Sequence, residues 1–124
     1  MRAKAYIRHV QESVLTSPYV VQSNLAFDEI SENICYIRGS LTLVDNLQLH
    51  IAEYVITEPV IKRLKYRYHL QTVQNKFIAR WDNANHHPEI ETHPHHLHLT
   101  HGNIVPTPAM NIEKVLSAIP PFLS

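Results

Sequence analysis

Apolar and polar positions change period several times along this chain, and each change predicts an element. Ala3, Tyr6, Ile7, Val10, Val14 and Leu15 follow the three-and-four spacing of an amphipathic helix, predicted over residues 3–16. Ser17-Pro18 ends it, because the residue before a proline avoids helical backbone angles. A strand is expected at Tyr19–Phe27 and a polar turn at Asp28–Glu32. A meander follows, with strands at Asn33–Val44, Leu47–Thr57, Ile61–Gln71 and Lys76–Asn83. Turns at Asp45-Asn46, Glu58-Pro59 and Gln74-Asn75 are short, so successive strands must run antiparallel. Gly39 and Gly102 are the sole glycines, so tight hairpin turns must use other residues.

After Asn83 the period lapses. Residues 84–108 carry Pro88, Pro94, Pro106 and Pro108 among many histidines, which predicts an irregular loop with one short strand near Gly102–Val105. A stretch this long without periodicity is usually functional or disordered. Asn111–Ile119 reads as a helix, with Ile112, Val115, Leu116 and Ile119 on one stripe and Pro120-Pro121 closing it. The expected fold is one α+β domain over residues 1–124. It has a four- to five-stranded antiparallel sheet, a helix at each end, and a His/Pro-rich loop before the second helix.

Strand alternation assigns the faces. In the third meander strand Leu64, Tyr66, Tyr68 and Leu70 point one way, and Arg63, Lys65, Arg67 and His69 the other. The fourth sets Phe77, Ala79 and Trp81 against Lys76, Ile78, Arg80 and Asp82. The first sets Cys35, Ile37, Leu41 and Leu43 against Tyr36, Arg38, Ser40 and Thr42. One face is thus apolar and suited to packing on helices. The other gathers Arg38, Arg63, Lys65, Arg67 and Arg80 with Tyr36 and His69. Such a face can simply keep a sheet soluble. Yet like charges in a row repel unless something neutralises them, and a phosphate backbone does so. Glu53 shares its side with Leu49, Ile51 and Val55, which requires either a buried, paired carboxylate or a bulge.

Composition narrows the classes. Of 124 residues, 44% are hydrophobic and 18% charged, which argues against intrinsic disorder. No apolar run approaches the roughly 20 residues of a membrane-spanning helix. The first residues lack the apolar core and small-residue cleavage site of a secretory signal. Cys35 is the single cysteine, so neither an internal disulfide nor a thiolate zinc site is expected, and a cytosolic location is. Lys+Arg and Asp+Glu balance at 11 each, but there are ten histidines, seven of them between His86 and His101. A modest fall in pH therefore makes the neutral chain cationic.

Three chemistries can use the histidine run. A metal site needs three or four converging ligands. His86, His96, His98 and Glu89 offer an imidazole–carboxylate set for zinc or nickel, with Asp82 a further carboxylate, although the spacing matches no zinc motif. The second is metal-free acid–base work. Cleaving RNA by attack of a 2′-hydroxyl needs a base, an acid for the leaving oxygen and cations for the phosphate charge. His69, His86, His87, His95, His96 and His98 could move protons, with Asp82 orienting one of them. Arg38, Arg63, Lys65, Arg67 and Arg80 could hold phosphate. Nucleophilic catalysis is weak, since Cys35 falls on the apolar face. The plainer alternative is a proline-pinned segment whose histidines cap backbone groups.

A resemblance joins these segments. Tyr66-Arg67-Tyr68-His69-Leu70-Gln71, Arg80-Trp81-Asp82-Asn83-Ala84, His86-His87-Pro88-Glu89, Thr92, Pro94-His95-His96 and His98 resemble the TumE family. Those are small proteins regarded as toxins of bacterial and archaeal toxin–antitoxin pairs. The resemblance runs from about Ser17-Pro18-Tyr19 through Tyr36-Ile37-Arg38-Gly39 and Leu47–Glu53 to Val115–Ile119, and departs at Asn85, His93 and Leu97. It implies a toxin role and an antitoxin encoded beside it, but carries no mechanism. A helix leading into an antiparallel sheet with a basic face is also similar to the layout of RelE-like endoribonuclease toxins, an analogy of fold alone. The expected function is a metal-independent endoribonuclease toxin, with no cofactor and with RNA and an antitoxin as partners. The alternatives are a zinc- or nickel-dependent enzyme or metal-binding protein, and a non-catalytic binding toxin. Homodimerisation is a further option, since a small sheet leaves edges that need cover.

Overall fold

A computed structural model describes residues 1–84 and 92–124. Helix α1 spans Ala3–Thr16, where the periodicity put it. Strands β1 (Val20–Ser31), β2 (Ile34–Leu43), β3 (Leu47–Ile56), β4 (Lys62–Thr72) and β5 (Phe77–Asp82) follow. Then come β6 (His96–Leu99), β7 (Ile104–Pro106) and helix α2 (Ile112–Ser117). The strands form one antiparallel sheet in chain order, β1 to β7. Among the described residues, seven strands replace the four or five expected. The polar segment from Asp28 extends β1 to Ser31, and two short strands lie within the stretch expected to be an irregular loop.

Both helices pack on one sheet face. Tyr6, Ile7, Val10 and Val14 of α1, with Ile112, Val115 and Leu116 of α2, bury against Cys35, Ile37, Leu41, Leu49, Ile51, Tyr68, Leu70 and Trp81. Asn111 caps α2, its side chain accepting from the Lys114 amide at 2.8 Å. The hairpin between β2 and β3 turns on Asp45 (φ 62°) and Asn46 (φ 57°), which take the left-handed backbone that glycine would otherwise supply. Gly39 has φ 137°, and a Cβ there would sit 2.2 Å from the Asn24 carbonyl oxygen on β1.

Two irregularities in β4 and β5 overturn the simple alternation. Tyr54 pairs with Lys65 but Val55 with Arg63, so Leu64 is an extra residue. Arg63 thereby turns to the helix side, where its Nε donates to the Tyr6 hydroxyl at 3.0 Å and lies 3.8 Å from Glu53 Oε2. Leu64 becomes exposed. Asn83 holds the bulge by accepting from the Tyr66 amide at 2.9 Å and donating to the Leu64 carbonyl at 3.1 Å. A second shift opposes Gln71 to Phe77, and places Phe77 against His69 with ring centroids 5.4 Å apart. Phe77 thus leaves the apolar face to which alternation assigned it.

Glu53 is buried and paired. The hydroxyls of Tyr6 and Tyr68 both donate to its carboxylate, with Arg63 behind them. Burial nevertheless outweighs these partners and holds its pKa above the ordinary carboxylate range.

Candidate functional site

The face away from the helices carries two cross-strand rows of chemistry-bearing residues. In the first, Ser40, His50, His69, Arg80 and His98 lie opposite one another on β2 to β6. In the second, Arg38, Ala52, Arg67, Asp82 and His96 do the same. Neighbouring strands are roughly 4.8 Å apart, so Arg80 sits between two histidines about 10 Å from each other along the row.

His69 is half-buried. Burial, then the charges of Arg67 and Arg80 and the neighbouring His50, lower its pKa, while a Gln71 hydrogen bond partly offsets them. Its ring is therefore neutral at neutral pH and able to accept a proton. His50, whose ring centroid lies 6.2 Å from that of His69, was not singled out from the sequence. Its place opposite His69 follows from register, which the single β3 segment could not supply.

Asp82 organises the far end of both rows. Its Oδ2 accepts from Arg80 Nε at 3.1 Å, its Oδ1 from the Ala84 amide at 3.2 Å, and His98 Nε2 lies 3.4 Å from Oδ2. His96 Nε2 lies 2.7 Å from Oδ1, and its Nδ1 is 2.8 Å from the Pro94 carbonyl. A ring nitrogen facing a carbonyl must carry its proton, so the Nε2 of His96 is aimed at Asp82 by the backbone itself. His96 is fully buried, whereas His98 keeps 17% of its side chain exposed. The ligating atoms of Asp82, His96 and His98 lie within 4.8 Å of one another, a two-nitrogen, one-oxygen set that zinc or nickel accepts. Arg80 and the Ala84 amide already occupy that carboxylate.

Other candidates fall elsewhere. His95 lies on the opposite side from this pair, its Nδ1 2.8 Å from the Tyr66 hydroxyl and its ring stacked on Tyr66 at 5.8 Å between centroids. Burial, then the adjacent His96 and His93, lowers its pKa, and burial pushes the Tyr66 phenol up to about 12. The neutral pair ties the chain before β6 to β4. Arg63 serves Glu53 and Tyr6 rather than the open face. Arg38, Lys65 and Arg67 stand exposed on that face. His86, His87 and Glu89 lie outside the described residues.

The sheet and this face define the class: a small α+β protein whose helix-free surface presents arginines and imidazoles in register. A family model described as Toxin TumE matches residues 8–123, and the chain belongs to the TumE toxin family. Membership in a toxin family implies an antitoxin partner. Comparison with curated proteins and with solved structures gives no match. Among the described residues no helix is long and apolar enough to cross a membrane.

Proposed function

We propose that this toxin acts on RNA in the cytosol as an endoribonuclease that needs no metal, using the helix-free face. The observation that carries the reading is the row His69–Arg80–His98, a guanidinium flanked by two imidazoles on adjacent strands. Attack of a ribose 2′-hydroxyl on its 3′-phosphate requires that arrangement of base, cation and acid. Neutral His69 takes the 2′-hydroxyl proton as the oxygen bonds to phosphorus. Arg80, held by Asp82, stabilises the added negative charge. His98 gives a proton to the departing 5′-oxygen as its bond to phosphorus breaks, and Asp82 beside it suits the protonated ring. The products are a 2′,3′-cyclic phosphate and a free 5′-hydroxyl. Arg67, Lys65 and Arg38 hold flanking phosphates. His96, with no exposed surface, acts as a positioning residue through Asp82 as the doubly protonated ring, since its Nδ1–H already serves the Pro94 carbonyl. The antitoxin masks the same cationic face.

The purified chain is expected to cleave total RNA in EDTA and leave cyclic-phosphate ends. Intact RNA in EDTA, with cleavage restored by zinc or nickel, would favour the second reading, a metal held by Asp82, His96 and His98. RNA left intact with and without metal would leave a toxin that acts by occupying a surface.

A further inference from the structure

A hollow of about 310 Å³ opens on the same face, lined by Tyr36, Ala52, Tyr54, Lys65, Tyr66 and Arg67. Register explains it. Tyr36, Tyr54 and Lys65 oppose one another on β2, β3 and β4, and one step along lie Arg38, Ala52 and Arg67. Ala52 is the one small side chain between two cations in its row, so the space that a long side chain would fill stays open. Two half-buried phenol rings stand beside it, and the Arg38 guanidinium lies 5.9 Å from the Tyr36 ring centroid. The volume falls at the small end of ligand-sized clefts, which run from roughly 300 to 1,000 Å³.

We propose that this hollow is a subsite for one nucleobase of a single-stranded RNA, resting on the RNA reading above and adding a recognition element to it. Aromatic faces beside cations are the chemistry that holds an unpaired nucleotide, the rings stacking on the base and the cations meeting its phosphate. Lys65 and Arg67 lie four and two residues before His69 on β4, roughly 13 and 7 Å along the strand. A base seated at Tyr54, two strand spacings across as well as about 13 Å along, therefore belongs to a nucleotide roughly 16 Å from the phosphate at Arg80. Sequence preference in cleavage, if the toxin has one, is set here, because the His69–Arg80–His98 row touches only ribose and phosphate.

The test is the affinity of a short single-stranded 2′-O-methyl RNA, which cannot be cleaved through its 2′-oxygen, read by fluorescence anisotropy. Tyr36→Ala and Tyr54→Ala should each weaken binding about tenfold, within the range for loss of one stacked base, while Tyr36→Phe and Tyr54→Phe should stay within about twofold. On the same oligomer carrying abasic sites, wild type and alanine variants should bind alike. Alanine variants that bind the normal oligomer as wild type does, or that lose equally on the abasic one, overturn the subsite and leave the RNA reading standing. If wild type binds no RNA while its melting curve shows a folded protein, the RNA reading falls and the subsite with it.

Discussion

His69 is the residue whose surroundings set its chemistry most visibly. His50 faces it from β3, Arg80 from β5, and Arg67 and Gln71 flank it on β4. Its lowered pKa means that the proton-accepting form survives below the ordinary histidine value of about 6.5. Cleavage should therefore fall along its acid limb only below that pH. Arg67→Gln removes one of the charges responsible, so the limb should move to higher pH in that variant; a limb that stays in place would separate His69 from proton transfer. Glu53 titrates with the opposite sign. A carboxyl whose native pKa is raised contributes stability that is fully present below its unfolded value, about 4.3, and lost as pH rises through the native value. Urea midpoints of Glu53→Gln should thus improve relative to wild type as pH climbs from 4, and a constant difference between the two would show no such shift. Gly39→Ala meets both a positive φ and the Asn24 carbonyl, so a loss of about 2 kcal/mol or more is expected in thermal or urea unfolding.

At the scale of elements, the helix α1 and the hairpins β2–β3 and β3–β4 were legible because their apolar periods are long and unbroken. Strand β6 was not, since four residues rich in histidine between prolines carry little strand propensity. The alternation His96-Leu97-His98-Leu99 is its only signal, and both imidazoles reach Asp82 from that one side. Arg63 and Phe77 were assigned to the wrong face for one shared reason. A bulge adds a residue without changing composition, and strict alternation cannot see it. Asn83 holds the first bulge through side-chain bonds to Tyr66 and Leu64, so Asn83→Ala should cost about 1–3 kcal/mol of unfolding free energy. A variant as stable as wild type would mean that β4 keeps its register without that amide.

For the whole molecule, the sheet separates two tasks. One side carries the apolar core with both helices, and the other carries arginines, histidines and two tyrosines on strands that no described helix covers. Neither face could be assembled from any one segment of sequence, because each row draws one residue from each of β2 to β6. The antitoxin and RNA should then compete: adding the antitoxin is expected to displace bound oligonucleotide, and a stable ternary complex would place the antitoxin elsewhere. The most direct test of the proposed site is RNA cleavage in EDTA by wild type, His69→Ala, His98→Ala and, from across the sheet, His95→Gln. Loss of about 10²–10⁴-fold in the first two variants with His95→Gln near wild type is expected. Near-wild-type cleavage by His69→Ala and His98→Ala would contradict it.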